Sequence, residues 1–245
     1  MKNYINEIEE KLSALPSRTS SQIPESYIGG GQSKLQYIGL RVPHLQQVLK
    51  NGFSFSSKSN EELAEIWDYV WWNSNCYEIL SLGLSWFYDK KQKSIINNHW
   101  IILKKWSLKI DNWAHSDTLS GIYARLLEEN PEKIYPTLLK WNSSKKPWLR
   151  RLSIVSLIYY SPQRKRVLPF NKIIALLEPQ LDYDHYYVQK GVGWTLRETY
   201  NVYPGPTFKF MEKNIKKISS IAFSASTEKM STKEKNHLKK LRKLK

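Results

Sequence analysis

The chain is poor in several things. Its 245 residues include one cysteine, Cys76. A single thiol excludes a disulfide framework and any zinc or iron–sulfur site built on cysteines. Long apolar runs are missing: no stretch approaches the roughly 18 residues of a membrane span. The five histidines, His44, His99, His115, His185 and His237, include no pair four apart. A helical zinc site is therefore not expected, and neither a metal nor a cofactor is expected. Hairpin signals are missing as well, because Asn51-Gly52 has no alternating strand on either side. Gly29-Gly30-Gly31 lacks the Gly-Lys-Ser/Thr of a P-loop. Gly191-x-Gly193 follows no strand and lacks a third glycine, so neither is a nucleotide fingerprint. The segment from Met1 to Glu10 has no apolar signal-peptide core, and the expected location is the cytoplasm.

Acid is also scarce. There are 22 Asp+Glu against 38 Lys+Arg, a formal net charge of +16. Such an excess favours a polyanionic partner, nucleic acid or an anionic surface. Apolar residues make up 41%, enough for a real core. Ten Trp and 15 Tyr are a heavy aromatic load, and basic plus aromatic is a composition that suits nucleic acid.

Helical periodicity dominates. Ile5, Ile8, Leu12 and Leu15 recur near every 3.6 residues over 2–15. A polar loop is expected over 16–34, and Pro43 then opens a helix. Ser59 and Glu62 form a capping box for the next. Helices are predicted over 59–72, 75–89, 93–106, 113–129, 132–142, 147–160, 171–178, 185–200 and 206–215. Aligning Trp72, Trp106, Trp141 and Leu181 gives a repeat of 34 to 40 residues, with Ile79, Trp113, Trp148 and Val188 seven positions on. That period suggests helix pairs of HEAT-like type. The expected fold is all-α: a curved superhelical array of HEAT-like repeats with a concave basic face. Residues 1–215 are expected to form this domain, and 216–245 a basic C-terminal segment that caps it. No dimerisation signal is visible, and a monomer is expected.

Three segments could carry chemistry: Asp111 to Asp117, Trp148 to Arg151, and Tyr186 to Glu198. Trp113 and Asp117 are four apart and share a helix face. A carboxylate beside an indole suits stabilisation of a positive charge. It would equally suit a helix-start Asp and a core Trp. Arg150 and Arg151 sit early in a helix, where the positive dipole end favours an anion, and one of the pair should face the groove. Gly191 and Gly193 each cost about 1 kcal/mol in a helix relative to Ala, so close packing or a ligand must compensate. His115, Ser116 and Asp117 are consecutive and cannot form a catalytic relay on a helix.

At these segments the sequence resembles the AlkD family of DNA alkylation repair proteins, HEAT-like-repeat DNA glycosylases. The family pattern Trp-x-x-x-Asp is matched by Trp113 and Asp117, and Trp-Leu-x-Arg by Trp148 through Arg151. Gln-Lys-x-x-Gly-Trp-x-Leu-Arg-Glu is matched by Gln189 through Glu198, which includes Lys190, Trp194 and Arg197. Gly39 to Pro43 resembles the family's Gly-Ile-x-x-Pro segment, with Arg41 where familiar members carry Gln. The resemblance covers roughly residues 25–215. It implies hydrolysis of the N-glycosidic bond of N3- and N7-alkylated purines in duplex DNA, without base flipping. It implies Asp117, Trp113 and Trp194 as catalytic residues. Of the two adjacent arginines it picks Arg151, not Arg150, as the functional one, and Arg151, Arg150, Tyr27, Arg41, Lys190 and Arg197 are the expected DNA contacts. The chemistry is coherent: an alkylated purine is already cationic and leaves neutral, so one carboxylate suffices to stabilise the oxocarbenium-like sugar. The alternatives are a non-catalytic HEAT-like nucleic-acid-binding protein and a protein-interaction scaffold.

Overall fold

The computed structural model describes residues 1–16, 33–89 and 93–243. Tyr27 and Gly29 to Gly31 lie outside them. Among the described residues there are 14 helices and no strand, so the all-α expectation holds. An isolated parallel bridge joins Gln36 and Cys76. No helix among them is long and apolar enough to cross a membrane. The chain forms two compact units, Met1–Leu119 and Ser120–Lys245.

The first unit holds α1 (Lys2–Ser13), α2 (Val42–Asn51), α3 (Asn60–Asn73), α4 (Tyr77–Tyr88), α5 (Lys93–Asn98), α6 (Trp100–Trp106) and the start of α7 (Trp113–Glu129). The capping box at Ser59 and Glu62 is present at the start of α3. The expected helix over 93–106 is two helices, parted at His99 (φ −104°, ψ 23°). The core of this unit is aromatic. Trp71 and Trp106 stack at 4.4 Å with their planes 3° apart, and Phe87 meets Trp106 edge-on at 5.2 Å. Gly83 on α4 makes room: a methyl group there would lie 3.3 Å from Trp67 and 3.4 Å from Trp106. Asp68 accepts from the indole of Trp106 at 2.7 Å and of Trp72 at 3.1 Å. Lys109 donates to the carbonyls of Trp71 and Ser74, closing the C-terminal end of α3.

Two sequence-based readings change here. Six of the ten Trp are buried: Trp67, Trp71, Trp100, Trp106, Trp141 and Trp148. Most of the indole content therefore serves the core rather than a nucleic-acid surface. Trp72, chosen as a repeat anchor, is 43% exposed, and its neighbour Trp71 faces inward. Trp106, Trp141 and Leu181 are buried.

The second unit holds the rest of α7, α8 (Pro131–Asn142), α9 (Pro147–Val155), α10 (Phe170–Leu177), α11 (Tyr186–Val202), α12 (Pro204–Lys213), α13 (Ser220–Ser226) and α14 (Thr232–Lys243). Helix α11 is its centre and packs against α9, α10, α12 and α13. The predicted helix over 147–160 stops at Val155; a turn follows and leads to Tyr160, whose φ is +47°. The residues beyond 215 contribute α13, laid on α11, and α14, which buries Leu238.

The two glycines of α11 are compensated by packing. A methyl group at Gly191 would come 3.2–3.3 Å from side-chain atoms of Val155, Arg151 and Ile154. One at Gly193 would lie 2.6 Å from the carbonyl oxygen of Ala222 and 2.8 Å from the Ala225 Cβ. Backbone cannot yield as a side chain can. Gly193→Ala should therefore lower the unfolding free energy by about 2–3 kcal/mol, and Gly191→Ala by less, measured by urea denaturation.

Candidate functional site

In the first unit, long-range hydrogen bonds fix the start of α7. Asn112 caps the helix: its Oδ1 accepts the His115 N–H at 2.9 Å. That contact orients the Asn112 amide so that its Nδ2 donates to Asp111 Oδ1 at 3.2 Å and to His115 Nδ1 at 3.1 Å. His115 Nε2–H then donates to Ser81 Oγ at 2.8 Å, and that hydroxyl donates to the Tyr77 carbonyl at 2.8 Å. The imidazole also stacks on the Tyr77 ring at 4.4 Å. Burial pushes its pKa down to about 3, so the ring is neutral.

Trp113 and Asp117 each stand two residues from His115, about 200° round the helix. With His115 buried inward, both emerge on the opposite face, and both are half-buried there. The pair expected from their spacing thus shares one helix face, on a turn whose inner side is locked. His115 and Ser116 are buried structural residues, in line with the exclusion of a relay.

The segment before α2 is stapled to the same unit. Asp111 accepts from Ser33 Oγ and the Lys34 N–H. Glu78, buried on α4, accepts the N–H groups of Ile38 at 3.0 Å, Gly39 at 2.8 Å and Leu40 at 3.2 Å. Gly39 has φ +89°, which a residue with a Cβ adopts only under strain. The staple delivers Arg41, which is exposed, to the start of α2. Cys76, beside Glu78, has its thiol pushed up to about 12 by burial and is no nucleophile.

The second unit places the other residues. Arg151 is 4% exposed, and its guanidinium donates to the Tyr187 carbonyl at 2.5 Å. Arg150 lies half-buried, donating to the Ser144 carbonyl at 2.6 Å and to Gln180 Oε1 at 3.1 Å, with its guanidinium over the Tyr183 ring. Behind it runs a buried amide ladder: Gln180 donates to Asn142, and Gln189 donates to the carbonyls of Gln180 and Tyr183. Lys190 is exposed, with its ammonium 5.8 Å from the centre of the Tyr186 ring.

Trp194 is half-buried among Tyr159 (5.8 Å, near-parallel), Tyr160 (5.0 Å, edge-on) and the Arg197 guanidinium (4.6 Å). Arg197 is paired with two carboxylates, Glu198 at 3.2 Å and Glu228 at 2.6 Å. The structure thus gives Arg197, a DNA contact on the family resemblance, two internal partners. Glu198 is buried and also accepts from the Ser161 N–H at 2.8 Å and Ser161 Oγ at 2.7 Å. A separate cavity of about 390 Å³ lies near Glu128, Arg164, Arg166 and Lys172; none of the predicted site residues lines it.

Sequence reasoning passed over Glu78, Asn112, Gln180 and Glu198 as working residues. Glu198 stood inside a quoted motif, and Asn112 occupied the N-cap position before Trp113. Glu78 and Gln180 act on segments some 40 residues away, and no local pattern marks that.

The family model described as "DNA alkylation repair enzyme" matches residues 8–230. The chain belongs to that family. Among solved structures it is similar to AlkD2 from Streptococcus mutans, with a TM-score of 0.54 and 19% identity over 99% of this chain and 97% of that one. A second similar structure is smu.31 from Streptococcus mutans UA159, with a TM-score of 0.49 and 21% identity over 81% of this chain and 89% of that one. No curated protein matches the chain in sequence. Membership supports a role in DNA alkylation repair and DNA as the substrate; the likeness to AlkD2 shows a shared all-helical fold.

His115 also sets a pH dependence for this family member. Its folded pKa lies below the unfolded value near 6.5, so the unfolded chain binds the extra proton first. Its contribution is constant above about pH 6.5 and falls by about 1.4 kcal/mol per pH unit from there toward pH 3. Denaturant unfolding at pH 7.0, 6.0 and 5.0 should show this slope in wild type and a weaker one in His115→Gln.

Proposed function

We propose that the protein is a DNA glycosylase that hydrolyses the N-glycosidic bond of cationic N3- and N7-alkylated purines in duplex DNA, leaving the base unflipped. The observation that carries this reading is the first turn of α7. A half-exposed carboxylate, Asp117, shares a face with Trp113, while buried, neutral His115 anchors the opposite side. A carboxylate held on a rigid turn stabilises a developing oxocarbenium without having to reorganise. The alkylated purine carries its own positive charge, so no second carboxylic acid is required.

Trp113 and Trp194 are assigned to the deoxyribose by CH–π and cation–π contact. Exposed Arg41 and Lys190 are assigned to phosphates, as is half-buried Arg150. Arg151, almost wholly buried, contributes its field more than a direct contact. Arg197, paired with Glu198 and Glu228, acts by holding Trp194. Tyr27 remains assigned to DNA through the family resemblance alone. The protein is proposed to act as a monomer in the cytoplasm, without a cofactor.

Single-turnover release of 7-methylguanine from a duplex oligonucleotide tests this reading. Wild type should release the base, and Asp117→Asn should be slower by roughly 10²–10³, as for one lost transition-state charge contact. Absence of release by wild type, with salt-sensitive DNA binding intact, would favour a non-catalytic nucleic-acid binder.

A further inference from the structure

We propose that Tyr160 is a DNA-contacting residue, presented by a clamped left-handed turn beside Trp194 so that its ring packs on a sugar or base of the strand. The inference rests on the reading of this family member as a protein that acts on duplex DNA.

The backbone at Tyr160 is the first ground. Its φ of 47° and ψ of 75° lie in the left-handed region, and it is the one non-glycine residue with positive φ among those described. The Cβ of an L-residue crowds the following carbonyl there, which makes glycine or asparagine the default choice. A bulky aromatic persists in such a conformation only where its surroundings over-determine it. They do so here. Ser161, the next residue, is held through its N–H and hydroxyl by buried Glu198, and Asn201 Nδ2 donates to the same hydroxyl at 3.2 Å. The Tyr160 carbonyl accepts from the Gln163 N–H at 2.8 Å.

The strain gains little burial. Tyr160 is 41% exposed, touching Tyr159 edge-on at 4.8 Å and Trp194 edge-on at 5.0 Å. The Trp194 indole N–H has no acceptor among the described residues, so that ring takes its orientation from Tyr159, Tyr160 and Arg197. Arg197 is paired with two carboxylates, Glu198 and Glu228. The cluster beside Trp194 is therefore aromatic and has no excess positive charge. That is the chemistry of packing on sugars and bases rather than of phosphate binding.

Two measurements test the proposal. In the first, wild type is irradiated with a duplex containing one 7-methylguanine and 5-iododeoxyuridine in place of thymidine, and the crosslinked peptides are mapped. The crosslink should fall on Tyr160. In the second, affinity for the same duplex is measured over a range of salt. Tyr160→Phe should bind within about twofold of wild type. Tyr160→Asn, which tolerates the left-handed backbone, should bind roughly tenfold less tightly with an unchanged salt slope, since no cation is removed.

Crosslinks confined to other segments overturn the proposal even if the Asn variant binds weakly, because the loss would then act through Trp194. Unchanged binding by Tyr160→Asn overturns it as well. In both cases the glycosylase reading stands if wild type binds and releases the base. A wild type that does not bind duplex DNA sinks both.

Discussion

A carboxylate inside a protein is tolerable only when hydrogen-bond donors fill its oxygens. Each unit of this protein depends on one such group. Glu78 gathers three successive backbone N–H groups from Ile38 to Leu40 and so sets where Arg41 enters α2. Glu198 gathers the N–H and hydroxyl of Ser161 together with Arg197, and so sets the turn beside Trp194. In both cases a rigid helix supplies the acid and an irregular segment supplies the donors. The geometry of the irregular part is inherited from the helix. Removing either carboxyl would leave buried donors unsatisfied, a loss larger than the net worth of the bonds themselves.

Neutral groups do the corresponding work elsewhere. Asn112 and His115 at the start of α7, and the Asn142, Gln180 and Gln189 ladder behind Arg150, tie helix ends together without adding charge. For a chain with net charge +16 this matters, because an interior fastened by neutral amides and a neutral imidazole adds nothing to an already repulsive charge balance.

Much of the fold was legible in the sequence. Apolar residues at helical spacing marked most helices to within a few residues, and Ser59 with Glu62 marked a helix start that the structure contains. The errors have physical causes. The helix expected to reach residue 160 ends at Val155, and the turn that follows is held by Glu198, 37 positions beyond Ser161. Adjacent indoles at 71 and 72 could not be told apart by spacing; stacking on Trp106 turns Trp71 inward. Aromatic content was read as a binding surface when most of the indoles are core. The Trp113 and Asp117 pair was legible because a four-residue spacing is local. The ion pair of Arg197 with Glu228 was not, because Glu228 belongs to a segment 31 residues away.

The motif from Gln189 to Glu198 has a consequence for how the family is recognised. Gln189 is spent on carbonyls, Gly193 on the approach of α13, Leu196 on the core and Glu198 on a turn. Lys190, Trp194 and Arg197 are the motif positions left outside the buried set. Most of the signature therefore encodes a way of stacking helices. A chain could retain it in full after losing the carboxylate at position 117, which lies on another helix in the other compact unit. On the proposed function, ancestry and chemistry would be written in different residues of this protein, and selection could erase one while preserving the other.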